Sequence, residues 1–142
     1  MAKVALVVDD SMLVRYTVCR FLEERGFSVE IAANGIEALE VLRRVLPDLI
    51  VTDMQMPLMS GSELITALKS KPETCGIPII VITGHASGLA EGDKRANFAI
   101  SKDIDVDTQL EFRLSLKSHL YSRVIPEYFE NVEDERYLFR IY

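Results

Sequence analysis

The stretch ALVVDDSM, residues 5–12, joins an apolar run to two adjacent aspartates. An uninterrupted apolar run over residues 4–8 is typical of a strand that is buried on both faces of a parallel sheet. Asp9 and Asp10 follow this run directly, and two like charges about 4 Å apart repel each other by about 4 kcal/mol at an effective dielectric of about 20. The pair therefore raises the question of which positive group neutralises it.

Segments with strand and helix periodicity alternate along the rest of the chain. The further predicted strands are residues 27–32, 48–52, 77–83 and 98–101, and the predicted helices are residues 11–25, 36–45, 62–69 and 107–123. This alternation predicts βαβ units, and therefore an α/β fold with a parallel sheet. Between Thr83 and Lys102, Gly88 and Gly92 disfavour a regular helix, so we expect a short or irregular fourth helix there.

Local signals mark the first helix and the segment that follows it. Leu13, Thr17 and Phe21 recur at helical spacing within residues 11–25. Gly26 stands where a helix C-cap is expected. The pair Asn34-Gly35 is a turn signal.

Composition narrows the class of protein. The 142 residues fit one globular domain, and 49% of them are hydrophobic. No apolar run is long enough to cross a bilayer, and no signal-peptide pattern follows Met1. The two cysteines lack the spacing of a zinc site or a disulfide framework, which favours a cytoplasmic location. The net charge of −6 disfavours direct contact with nucleic acid or an anionic membrane.

Polar residues stand at the ends of four of the predicted strands. They are Asp9 and Asp10, Asp53, Thr83 and Lys102. Open α/β sheets bind ligands beyond the carboxyl ends of their strands, so we expect these side chains to converge. Three carboxylates without histidine or cysteine favour Mg²⁺ or Mn²⁺ over zinc. Lysine and threonine suit a phosphoryl oxygen, and one carboxylate is then available as a nucleophile.

Five segments resemble the receiver domain of bacterial two-component response regulators. They are VVDDS (7–11), ANGIEAL (33–39), PDLIVTDMQMPLMSG (47–61), IPIIVITG (77–84) and ISK (100–102). The resemblance extends over residues 4 to about 120. It implies a flavodoxin-like, five-stranded parallel sheet of order 2-1-3-4-5 with helices on both faces. Beyond the family pattern, the sequence itself predicts an extended C-terminal helix and a tail.

The resemblance also implies the roles of the acidic residues. Asp53 would accept the phosphoryl group. Asp9 and Asp10 would hold Mg²⁺ together with Asp53 and the backbone carbonyl of Gln55.

The resemblance assigns the remaining site residues to phosphoryl binding and to its hydrolysis. Lys102 would pair with Asp53 and then with the phosphoryl group, while Thr83 would bond a phosphoryl oxygen after transfer. Gln55 and His85 would flank the path of the attacking water and tune hydrolysis. An ordinary exposed loop histidine is an equally good interpretation of His85.

Two positions near the end of the match depart from the family pattern. Lys102 precedes Asp103 where most members have proline, so we expect a trans bond there. The aromatic residue that usually lies three positions before the lysine is replaced by Ala99, and Phe98 lies one place earlier. Either a bulge restores the register, or the aromatic switch is absent.

The resemblance implies a signalling function. We expect a stand-alone receiver domain over residues 1–123 and an aromatic-rich tail over residues 124–142. The protein would take a phosphoryl group from a histidine kinase or a histidine phosphotransfer protein, and would act on an output partner that the sequence does not name. It would not be an enzyme beyond its own phosphorylation and dephosphorylation. The alternative is a constitutive protein–protein adaptor that keeps the fold without a switch.

The C-terminal helix and the tail carry an excess of apolar residues. At 100° per residue the apolar arc of residues 107–123 spans roughly 220°, wider than one core-facing stripe needs. The tail, residues 126–142, contains five of the eleven aromatic residues of the chain. The tail would cover the excess face by docking on its own domain or by exchange across a homodimer, and both interpretations remain open.

Overall fold

The computed structural model describes residues 3–84 and 95–101. In this part of the chain, five strands alternate with three helices: β1 (Val4–Val8), α1 (Met12–Glu23), β2 (Ser28–Ala32), α2 (Gly35–Leu42), β3 (Leu49–Asp53), α3 (Gly61–Lys69), β4 (Ile79–Thr83) and β5 (Phe98–Ser101). All four strand pairs are parallel, and the strand order is β2-β1-β3-β4-β5. The predicted flavodoxin-like sheet is confirmed. The predicted fourth helix, the helix over residues 107–123, the tail and the bond after Lys102 lie outside the described residues.

The core has two layers, one on each face of the sheet. Alternate residues of β1 point to opposite faces, so Val7 packs with α1 residues while Leu6 and Val8 pack with residues of α2 and α3. Residues 5–8 of β1 are fully buried, as the apolar run predicts. The central strands are therefore held from both sides, and their carboxyl ends are fixed relative to each other.

Each of the three helices begins at a side-chain cap. The side chains of Ser11, Asn34 and Ser60 accept hydrogen bonds from the backbone N–H groups of the third residue beyond each of them. Replacing such a cap by alanine typically costs about 1 kcal/mol. The turn signal Asn34-Gly35 thus coincides with the bend between β2 and α2, where Asn34 also caps the helix and Gly35 is its first residue.

Most predicted element ends shift by one to three residues, and two of these shifts have a clear local cause. The last turn of α2 tightens, since the N–H groups of Arg43 and Arg44 bond to carbonyls three residues back, and the helix ends at Leu42 instead of residue 45. β4 begins at Ile79 instead of residue 77, because Pro78 has no N–H to donate to a ladder.

The buried residues of α1 are not all among the residues whose spacing predicted the helix. Val18, Phe21 and Leu22 are buried against the sheet, whereas Leu13 is 73% exposed. Gly26 follows the helix with a φ of 88°, the left-handed conformation expected of a glycine at this end.

The last described strand has a regular register. β5 pairs residue for residue with β4, and Ala99 lies opposite Val81. No bulge therefore shifts residues 98–101, and the position where the family usually carries an aromatic residue holds a fully buried alanine.

Two leucines of α1 offer a matched test of this packing. Leu22 is 0% exposed and Leu13 is 73% exposed. We expect Leu22→Ala to lower the free energy of unfolding by about 2–5 kcal/mol, the range for a buried leucine. Leu13→Ala should stay within about 0.5 kcal/mol of the parent. Urea unfolding measures both values, and a larger loss in Leu13→Ala than in Leu22→Ala would contradict the packing of α1.

Candidate metal and phosphoacceptor site

Three carboxylates meet at the carboxyl edge of the sheet. β1 and β3 are neighbours, and the pairing of Val8 with Thr52 brings the next residues, Asp9 and Asp53, side by side. Carboxylate oxygens of Asp9, Asp10 and Asp53 lie within 4.8 Å of one another. Asp9 and Asp53 are buried, at 0% and 3% exposure, and Asp10 is exposed. The cluster is open to solvent on the Asp10 side.

Asp9 is held through both its backbone and its carboxylate. Its N–H donates to the carbonyl of Ala32 (3.1 Å), and its Oδ1 accepts from the N–H of Ser11 (2.8 Å). Nη1 of Arg15 donates to the carbonyl of Asp9 at 2.6 Å. Sequence reasoning missed Arg15; its signal was a basic residue on the inner side of the first helix, six positions after the aspartate.

Asp53 is fixed by the end of its strand. The N–H of Met54 continues the ladder to the carbonyl of Ile82 (3.2 Å), and the Thr52 hydroxyl donates to the carbonyl of Asp53 (3.0 Å). The N–H of Gln55 donates to Oδ1 of Asp53 at 3.2 Å. This bond orients the carboxylate.

The loop from Asp53 to α3 is folded tightly against the strand end. The N–H of Gly61 donates to the carbonyl of Met54 (3.0 Å), and a Cβ atom on Gly61 would overlap the carbonyl oxygen of Asp53. Leu58 has a φ of 68°, and the N–H of Met59 donates to the carbonyl of Pro57 at 2.8 Å, which together form a γ-turn. Neither the γ-turn nor the close approach of Gly61 was predicted.

The donor set fits a small, hard cation. Carboxylate oxygens are ligands that Mg²⁺ and Mn²⁺ prefer, and the cluster contains neither histidine nor cysteine. The carboxylate oxygens lie within 4.8 Å of one another, close enough to bind one cation together. Three negative charges at this distance also require a counter-charge. The residues present therefore suit Mg²⁺.

The other predicted site residues are placed only in part. Thr83 ends β4, one residue beyond Ile82, which pairs with Asp53. Gln55 is exposed beside the cluster. Lys102 and His85 lie outside the described residues.

A family model for the response regulator receiver domain matches residues 5–111 of the chain. The chain therefore belongs to the receiver domain family of two-component response regulators. Receiver domains are signalling proteins that interact with histidine kinases or phosphotransfer proteins. None of the described helices is long and apolar enough to cross a membrane.

Relatives and solved structures agree with this assignment. The response regulator MprA of Mycobacterium leprae is 42% identical over 82 residues, which cover 58% of this chain and 35% of the relative. The chain thus matches about a third of the length of such curated relatives.

Two solved structures share the fold. The chemotaxis response regulator CheY4 of Vibrio cholerae has a TM-score of 0.70 and 30% identity, with 80% of this chain and 97% of that chain covered. The response regulator TrrA of Thermotoga maritima, in complex with Mg²⁺ and BeF, has a TM-score of 0.67 and 28% identity, with 78% of this chain and 96% of that chain covered.

Two glycines test the tight loop. We expect Gly61→Ala to lower the free energy of unfolding by about 1–3 kcal/mol, because the new methyl group would push against the Asp53 backbone. The matched control is Gly76→Ala, where a Cβ atom meets nothing within 4 Å, and its effect should stay within about 0.5 kcal/mol. Chemical denaturation measures both, and equal losses would contradict the close approach at Gly61.

Proposed function

We propose that Asp53 accepts a phosphoryl group from a phosphohistidine of a histidine kinase or a histidine phosphotransfer protein. One observation carries this proposal: the buried Asp53 carboxylate lies within 4.8 Å of the carboxylates of Asp9 and Asp10, at the solvent-facing edge of the sheet. Burying a carboxylate beside other carboxylates costs free energy that a bound cation can offset. The solved structure of TrrA in complex with Mg²⁺ and BeF supports the proposal that this chain also binds Mg²⁺.

The reaction needs positioning and charge neutralisation more than proton transfer. A carboxylate oxygen of Asp53 attacks the phosphorus, the new O–P bond forms, and the P–N bond breaks with its electron pair returning to the donor imidazole. The Gln55 N–H holds Oδ1 of Asp53 and thereby fixes the direction of attack. When bound by Asp9, Asp10, Asp53 and the Gln55 carbonyl, Mg²⁺ neutralises charge on the phosphoryl oxygens.

Residues at the other strand ends complete the proposed site. Lys102 pairs with Asp53 and then with the phosphoryl group, and Thr83 bonds a phosphoryl oxygen. Gln55 and His85 tune hydrolysis of the aspartyl-phosphate. Phosphorylation replaces the single negative charge of the Asp53 carboxylate by about −1.5 to −2 charges on the phosphoryl group, a net gain of about −0.5 to −1, and this change alters partner binding.

A constitutive adaptor is the second candidate function. The observation that favours it is Ala99, which is fully buried in a regular strand and offers no aromatic ring to move. In that case partner binding does not depend on the state of Asp53.

The first test is the formation of an adduct on Asp53. With Mg²⁺ and acetyl phosphate, or with beryllofluoride, we expect a phosphoryl adduct in the intact mass or shifted amide resonances around residues 53–55. Asp53→Asn should abolish both signals. The matched control is Asp48→Asn, at the opposite edge of the sheet, where the carboxylate accepts from the Val4 N–H.

The outcomes separate the two candidates. An adduct in the parent and in Asp48→Asn, but not in Asp53→Asn, supports phosphoryl transfer. The absence of any Mg²⁺-dependent adduct in the folded parent overturns it in favour of the adaptor.

The second test concerns the repulsion within the cluster. We expect Asp10→Asn to raise the free energy of unfolding in EDTA by about 0.2–1 kcal/mol, since one exposed like charge is removed. In saturating Mg²⁺ the parent should become the more stable of the two proteins. Binding of Mg²⁺ adds RT ln(1 + [L]/Kd) to its free energy of unfolding, and the variant gains less because it has lost one ligand. Thermal unfolding with and without Mg²⁺ measures this crossover. Parallel curves for the two proteins would argue against metal binding by Asp10.

A further inference from the structure

A cavity lies at the edge of the sheet opposite the acidic cluster. It is a groove of about 330 Å³ between the C-terminal ends of α2 and α3, next to the segments that lead into β3 and β4. Its apolar wall contains Leu39, Leu42, Leu46 and Leu68. Leu46 is 56% exposed, so part of its side chain is accessible at the groove. Ligand cavities usually measure about 300–1,000 Å³, so this groove suits a few apolar side chains and not a large cofactor.

The α3 side of the groove is fixed by hydrogen bonds. The Thr74 hydroxyl donates to the carbonyl of Leu68 at 2.6 Å, and Nζ of Lys69 donates to the carbonyl of Cys75 at 3.0 Å. Both bonds tie the segment after α3 back to the helix end. The groove is therefore a preformed feature of the fold.

The rim of the groove carries positive charge in an acidic protein. Arg43 and Lys71 line it, against one acidic residue, Glu73. Within residues 3–84 and 95–101, the side chains of Arg43 and Lys71 make neither an ion pair nor a hydrogen bond. The chain as a whole has a net charge of −6. A suitable occupant is thus an acidic segment with apolar or aromatic side chains.

We propose that this groove binds the segment 127–135 of the same chain. Its sequence, EYFENVEDE, contains five acidic residues and no basic residue. Tyr128, Phe129 and Val132 supply apolar surface for the leucine wall, and the neighbouring glutamates supply charge for Arg43 and Lys71. The complementarity is both apolar and electrostatic.

The chain is long enough for this contact. Its last described residue, Ser101, ends β5 at the carboxyl edge, and the groove lies at the amino edge. A five-residue strand is roughly 17 Å long. With residues 107–123 helical, as the sequence predicts, residues 102–126 can still span roughly 50 Å, which is enough to reach the groove at the amino edge.

The native Cys75 thiol provides a reporter beside the groove. Cys75 is exposed and follows the lining residue Thr74. Cys19 is half-buried, and burial raises the pKa of its thiol to about 11, so it reacts slowly at neutral pH. A nitroxide can therefore be attached to Cys75 of the full-length protein, with single labelling checked by intact mass.

The experiment measures paramagnetic broadening of amide resonances in the tail. We expect a severalfold loss of intensity for residues 127–135 when the nitroxide on Cys75 is active, and recovery when it is reduced. Leu46→Asp or Lys71→Glu should abolish the loss. Leu13→Asp, the same change at an exposed leucine of α1, should leave it intact. Lys71→Glu combined with Glu130→Lys should restore it.

Three results would overturn the proposal. The first is unbroadened resonances for residues 127–135 in the parent protein. The second is broadening that survives both groove substitutions. The third is equal broadening in a mixture of isotope-labelled protein without nitroxide and unlabelled protein with nitroxide, because it would show that a second copy supplies the segment. Asp53 adduct formation tests the other edge of the sheet separately, so failure of one proposal leaves the other distinguishable.

Discussion

Mutual repulsion of three carboxylates at one edge of the sheet is the constraint on which the site depends. Like charges within 4.8 Å of one another would separate on a flexible chain. Here Asp9 and Asp53 extend from neighbouring buried strands, and backbone N–H groups fix one oxygen of each carboxylate. The core on both faces of the sheet holds these strands in place, so packing energy maintains a cluster of three carboxylates that a bound cation would stabilise.

The parts of this arrangement that follow from strand periodicity were predictable from the sequence. Buried parallel strands are apolar runs, and their carboxyl ends share one edge, so Asp9, Asp10 and Asp53 were expected to meet. The strand order itself came from the family resemblance. The contribution of Arg15 depends on how α1 docks, which no local pattern specifies, and the same holds for the exposure of Leu13.

The loop after Asp53 shows where local sequence signals fail. Leucine rarely adopts the positive φ found at Leu58, and no propensity indicates it there. The requirement for Gly61 arises from the approach of the Asp53 carbonyl, a contact between segments that only the folded chain brings together. Asparagine favours both turns and helix N-caps, and Asn34 serves both roles in the bend that precedes α2.

The two edges of the sheet are electrically separate. The acidic cluster and the cationic groove lie at opposite ends of strands roughly 17 Å long, about twice the Debye length of about 8 Å at physiological ionic strength. Through the protein, a unit charge change at Asp53 acts on charges about 17 Å away by only about 1 kcal/mol at an effective dielectric of about 20. Any coupling between the edges has to pass through the packed layer of α2 and α3, whose residues Ala38 and Leu64 share one buried cluster with Ala99. Because Ala99 is small and fully enclosed, a response to phosphorylation on this face requires movement of backbone segments and not rotation of an aromatic side chain at this position.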